Sequence, residues 1–81
     1  MTLIEMRNAA DLTQGEVGEA LGRELGRDAY THARIHQIET EGSKDSDQIE
    51  ALARIYNQDT SDVAAAAKLL RQQCNLFLQN A

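Results

Sequence analysis

Proline and tryptophan are absent from this chain of 81 residues, and aromatic residues make up only 4% of it. A core with so few rings has to be built from Leu, Ile, Val and Ala. Because no proline interrupts a helix and good helix formers are abundant, helix propensity is high almost everywhere. The composition predicts an all-α fold, in a chain long enough for one small domain and too short for a two-domain enzyme.

Cysteine and long apolar runs are also scarce. Cys74 is the one thiol, so no intramolecular disulfide forms. No secretory pattern opens the chain, and the longest apolar run, residues 63–67, is too short for a membrane span. We therefore expect a protein of the reducing cytoplasm with no membrane partner.

Basic residues are few, because eight Lys and Arg stand against thirteen Asp and Glu and give a formal net charge of −5. Binding to nucleic acid depends on Lys and Arg at the phosphates, so this balance argues at face value against such a partner. The charge is unevenly distributed, however. Residues 22–37 hold three arginines against two acids, whereas residues 38–50 hold one lysine against five acids. The acidic total therefore does not exclude DNA, and it leaves a protein partner open.

Caps and apolar spacing predict helices along the whole chain. Thr2 with Glu5, and Thr13 with Glu16, fit the capping box, in which each side chain satisfies a free backbone N–H of the other residue. The predicted helices span about 3–10, 14–22 with an optional turn to 26, 31–40, 46–57 and 61–79.

The second predicted helix contains Gly15 and Gly18, each of which costs roughly 1 kcal/mol relative to alanine in a helix interior. At least one of them is therefore expected to permit close backbone packing. The last predicted helix carries an apolar stripe longer than one small core needs. Its residues either cover the domain's own core or form a homodimer surface, and we favour a dimer with residues 64–79 as its extension. The stripe includes Leu69, Leu70, Cys74, Leu76 and Phe77.

The middle of the chain carries identities that helical periodicity does not require. Leu12-Thr13-Gln14 opens the second helix, Ile35-His36-Gln37-Ile38-Glu39 lies in the third, and Gly42 ends it. With these residues the segment from about 3 to 63 resembles the helix-turn-helix domain of phage repressor and Cro proteins, also called the xenobiotic-response-element family. The resemblance implies a compact five-helix, lambda-repressor-like domain that binds the major groove of double-stranded DNA.

A helix that enters the major groove has to be polar outside and held from behind by apolar side chains. Ile35 and Ile38 meet the second requirement. By the resemblance, Gln37 suits adenine, Arg34 suits guanine or a phosphate, and Ala33 suits a thymine methyl group. The outward positions are Thr31, His32, Ala33, Arg34, His36 and Gln37.

The resemblance also assigns residues outside the third helix. Gln14 matches a position that contacts backbone phosphate, and Arg7 and Glu39 match an ion pair joining the first helix to the recognition helix. The remaining candidate DNA contacts are cations near the third helix, Arg23, Arg27 and Lys44. The two arginines are equally well explained as a solvated face. The turn before Thr31 is longer than in the family, which leaves the angle of the recognition helix open.

Three functions are compared. The preferred one is a sequence-specific DNA-binding regulator of a bacterium, phage or mobile element, a homodimeric repressor or dual regulator without cofactor. The competing one, supported by the acidic charge, is a helix-turn-helix protein-interaction module such as an antirepressor, an antitoxin-like partner or an adaptor. A metal-dependent enzyme rests only on the four-residue spacing of His32 and His36, which no third ligand or nucleophile–base cluster accompanies.

Overall fold

The structure is a computed structural model that describes the backbone of residues 1–80 and the side chains of residues 1–75. Over this range the chain forms five helices and no strand, which confirms the predicted all-α fold. They are α1 (Leu3–Ala9), α2 (Gln14–Leu25), α3 (His32–Glu41), α4 (Ser46–Tyr56) and α5 (Thr60–Asn80). None of the helices in the described range has the length and apolarity needed to cross a membrane.

Capping boxes begin the first two helices. Thr2 Oγ1 accepts a hydrogen bond from the Glu5 N–H at 3.1 Å, and the Glu5 carboxylate accepts one from the Thr2 N–H at 2.9 Å. Thr13 and Glu16 repeat the arrangement at the start of α2. The bond from the Thr2 backbone holds the pKa of Glu5 below its ordinary value, because it stabilises the charged carboxylate.

The structure extends α2 beyond residue 22, where the sequence pattern places its end, and includes the optional turn to residue 26. The helix continues through Gly22 to Leu25, and Gly26 caps it in the left-handed conformation with φ 66°. The connection to α3 is therefore shorter than the segment that follows Gly22 in the sequence, since the extra helical turn absorbs part of it.

Two glycines of α2 allow this connection to lie directly on the helix. A Cβ at Gly18 would clash with the carbonyl oxygen of Tyr30, and one at Gly22 would clash with the backbone of Asp28. The Tyr30 N–H donates to the Gly18 carbonyl at 3.0 Å, which fixes the connection on α2. Gly15 is exposed and has room for a side chain, so Gly18 is the one of the predicted pair that serves packing.

The core is aliphatic, as the composition requires, with Tyr56 as the one ring among the buried described residues. α4 packs against α2 and α5, and α3 packs against the same two helices. α3 is therefore supported from two sides while its third side faces solvent. The largest fully buried side chains come from all five helices: Leu3, Met6, Val17, Leu21, Ile35, Ile38, Leu52 and Val63.

Candidate nucleic-acid interface

α3 has one buried face and one polar, solvent-exposed face. Ile35 and Ile38 are buried, and the Thr31 hydroxyl caps the helix by accepting from the Arg34 N–H at 3.1 Å. All six side chains predicted to point outward are exposed: Thr31, His32, Ala33, Arg34, His36 and Gln37. The helix thus presents a polar surface on an apolar support, which is the arrangement that entry into the major groove requires.

Glu39 joins α3 to both preceding helices. Arg7 of α1 donates from Nε to Glu39 Oε2 at 2.6 Å, and the Glu39 side chain is only 1% exposed. Gln14 of α2 donates from Nε2 to Glu39 Oε1 at 2.7 Å, so each carboxylate oxygen has a partner. Arg7 also donates from Nη1 to the Leu12 carbonyl at 3.1 Å. This cluster of Arg7, Gln14 and Glu39 fixes the inner face of α3.

The charge of this cluster reaches the neighbouring core. Burial raises the pKa of the Tyr56 hydroxyl well above its ordinary value, and the negative charge of Glu39 raises it further while Arg7 acts in the opposite direction. The Tyr56 ring is therefore neutral in the fold at any physiological pH.

Gln14 has a more internal position than its predicted role suggests. It is half-buried, its Nε2 is engaged with Glu39, and the same atom lies 3.5 Å from Nδ1 of His36. The side chain thus links the start of α2 to the exposed face of α3. Its contact with a DNA phosphate remains a prediction.

Two of the side chains expected to read bases, Arg34 and Gln37, contact each other. Arg34 Nη1 donates to Gln37 Oε1 at 2.8 Å across one turn of the exposed face. The sequence assigns each of them a base separately, and the structure joins them in one hydrogen-bonded pair.

A second polar network, which sequence reasoning missed, holds the far end of α3. The Ser43 hydroxyl donates to Gln48 Oε1 at 2.7 Å, and Gln48 Nε2 donates to the Tyr30 hydroxyl at 3.2 Å. Arg71 of α5 donates from Nη1 to the Ser43 carbonyl at 2.6 Å. The network connects the turns on both sides of α3 to α4 and α5. The available signal was Gln48, which lies on the apolar stripe of α4 and therefore had to be buried with partners.

Gly42 lets α5 approach the end of α3. Its φ is 81°, and a Cβ there would clash with the carbonyl oxygen of Ala67. With the Arg71 bond beside this contact, α5 supports the end of α3 as well as the core. A cavity of about 460 Å³ opens here, lined among others by Arg34, Lys44 and Cys74.

The three predicted cations outside α3 have different surroundings. Arg23 and Lys44 are exposed, and Arg27 donates from Nη1 to the Tyr30 hydroxyl at 3.4 Å. Glu24 of α2 is paired with Arg54 of α4 at 2.9 Å, and both side chains are exposed, so this ion pair contributes at most about 1 kcal/mol.

The predicted dimer residues do not share one face in the part of the chain whose side chains are described. Leu69 is 54% exposed and lies beside Met1, whereas Leu70 packs against the core. Cys74 is half-buried in the cavity next to α3. Leu76 and Phe77 lie outside the described side chains.

His32 and His36 are both exposed. Within the described range the structure places no group of three or more His, Cys, Asp or Glu residues where a metal ion could be held.

A polar, exposed helix supported by a buried carboxylate and by two close connections is the arrangement found in helix-turn-helix domains. The chain belongs to the helix-turn-helix domain family, which matches it over residues 1–66. No curated protein and no solved structure matches the chain. Helix-turn-helix domains are typical of DNA-binding regulators and are typically not enzymes.

Proposed function

We propose that this protein is a sequence-specific transcriptional regulator, a repressor or dual regulator of the phage repressor and Cro type, that places α3 in the major groove as a homodimer. The observation that carries the proposal is the exposed polar face of α3, residues 31–37, whose inner face is fixed by Glu39. A recognition helix with defined orientation gives base contacts a fixed register on the duplex.

The charge distribution favours base contacts over phosphate contacts as the source of affinity. Each protomer offers three exposed cations in the segments that precede and follow α3 in the chain, namely Arg23, Arg27 and Lys44. Six such contacts in a dimer correspond to a slope of about −5 in a plot of log affinity against log salt concentration. We therefore propose weak non-specific binding and a comparatively large specificity ratio.

Dimerisation is assigned to the part of α5 that lies beyond the family match. The match ends at residue 66, whereas α5 continues to Asn80. Leu69 exposes an apolar side chain there, next to the exposed Met1. A symmetric pair would place two recognition helices on half-sites roughly 34 Å apart. Sedimentation equilibrium tests the proposed dimer. A protein that stays monomeric at micromolar concentration with DNA present would contradict dimerisation.

Fluorescence anisotropy on DNA from upstream of the protein's own gene, against a scrambled duplex and at several salt concentrations, tests the proposal. We expect a preference of at least about 10³ and a salt slope of several units. Arg34→Ala should lose operator affinity, whereas the control Arg54→Ala, which removes a cation of α4, should keep it. Equal binding to both duplexes contradicts the proposal.

A protein-interaction module is the second candidate, and one observation favours it. The last residue of α3 and the stretch that follows it expose four acidic side chains, Glu41, Asp45, Asp47 and Glu50. These carboxylates repel phosphate and suit a basic protein partner. A stable complex with another protein, together with no preference for any duplex, would support this function over the first.

A further inference from the structure

Arg34 and Gln37 form one hydrogen-bonding unit on the exposed face of α3. Arg34 Nη1 donates to Gln37 Oε1 at 2.8 Å, between positions three residues apart that face each other on a helix. A guanidinium has only donors, so the amide of Gln37 has to turn its oxygen toward Arg34. The chemistry of the pair therefore fixes the orientation of the amide.

This orientation changes what Gln37 offers to a base. A bidentate pair with adenine needs the Gln oxygen to accept from N6 while the Gln nitrogen donates to N7. In the structure that oxygen accepts from Arg34, which occupies one of its two lone pairs and places a positive charge beside it. That charge disfavours the approach of the adenine N6 amino group, which is itself a donor. Apart from the second lone pair of the oxygen, the free groups of the pair are the Gln37 NH₂ and the other N–H groups of Arg34, all of which are donors.

Guanine is the base whose major-groove edge presents two acceptors, O6 and N7. We propose that Arg34 and Gln37 act together as a reader of guanine, and that Arg34 determines specificity by making the Gln37 oxygen a poor acceptor for the adenine N6 amino group. This inference rests on the proposed function and names the base class that the same face reads.

Threonine side chains fix the backbone at both ends of the pair. The Thr31 hydroxyl accepts from the Arg34 N–H at 3.1 Å, and the Thr40 hydroxyl donates to the His36 carbonyl at 3.0 Å and lies 3.3 Å from the Gln37 carbonyl. Among the side chains of residues 1–75, no carboxylate lies within ion-pair distance of the Arg34 guanidinium, whose hydrogen-bond partner is Gln37.

Selection from a pool of randomised duplexes tests the inference with the full chain and with Arg34→Ala, Gln37→Ala and the control Arg54→Ala. The informative base pair is the one whose preference Gln37→Ala changes. We expect the wild-type protein and the control to select guanine there. Arg34→Ala, which frees the Gln37 oxygen, should select adenine over guanine by about 5- to 150-fold, the range of one good bidentate pair.

Two results would overturn the inference while the proposed function stands: adenine selected by the wild-type protein at that base pair, or guanine preference lost in Arg34→Ala without a gain of adenine. Failure of the wild-type protein to enrich any sequence would instead refute the proposed function, and the inference with it. Circular dichroism of Arg34→Ala checks the fold, which an exposed side chain should leave intact.

Discussion

Glu39→Ala is expected to weaken the fold and DNA binding together. The substitution leaves the guanidinium of Arg7 without its carboxylate and removes the acceptor of Gln14. Loss of one partner of a buried ion pair costs about 3–5 kcal/mol. Arg7 is 16% exposed and keeps the Leu12 carbonyl as acceptor, so we expect the lower end, about 3 kcal/mol.

The expected loss of stability in Glu39→Ala is large enough to measure and small enough for the variant to remain folded. A domain of this length has roughly 4–12 kcal/mol of stability. Each kcal/mol lowers Tm by about 4–8 °C in such a domain, so the variant should melt about 12–24 °C below the wild type.

Urea and thermal denaturation followed by circular dichroism measure the change, with anisotropy on the same preparations. Glu41→Ala is the matched control, because Glu41 is an exposed carboxylate of the same helix and should change stability by less than about 0.5 kcal/mol. Replacing Arg7 and Glu39 together by Met and Leu should recover much of the stability, since it leaves no buried charge unpaired. A Glu39→Ala variant as stable as Glu41→Ala would refute the reasoning.

Three further predictions follow from the glycines and from Tyr56. Gly15→Ala should raise stability by about 0.5–1 kcal/mol, whereas Gly18→Ala in the same helix should lower it by about 1–3 kcal/mol. The reason is that only the Cβ added at Gly18 would clash with backbone atoms. Equal effects of the two substitutions in urea denaturation would contradict this prediction. Gly42→Ala should cost more than about 2 kcal/mol and Gly26→Ala about 1, since both have positive φ and only Gly42 also lies against α5. The fold raises the pKa of the Tyr56 hydroxyl above its ordinary value of 10.0. The contribution of the neutral hydroxyl to the free energy of unfolding is therefore complete below pH 10.0 and is lost as the pH rises above that value. Tyr56→Phe should flatten that fall in denaturation experiments at pH 9–11, and an unchanged pH dependence would contradict the assignment.

Local signals in the sequence were sufficient to predict most of the fold. Capping boxes at Thr2 and Thr13 involve residues only three apart, so the sequence contains both partners. The end of α2 was ambiguous for a physical reason, because Gly22 and Gly26 both suit a helix end. Packing decides between them: Gly22 is buried under the following turn, and Gly26 is exposed with positive φ.

The site was predictable where a side chain's role depends on its own helix. The outward face of α3 follows from the spacing of Ile35 and Ile38. The network from Tyr30 through Gln48 to Arg71 was not predictable, because it joins residues far apart in the sequence across four elements. The spacing of three residues shows that Arg34 and Gln37 can contact each other on a helix. It does not predict that they do, because two exposed polar residues three apart pair in some helices and not in others.

Amide NMR of the ¹⁵N-labelled protein, titrated with its selected duplex at near-physiological salt, tests most directly whether the exposed face of α3 binds DNA. We expect the largest shift changes at residues 31–37 and at the first turn of α2, with small changes in α4. Changes confined to the acidic stretch 41–50, or none at saturating duplex, would contradict the assignment of α3 as the recognition helix.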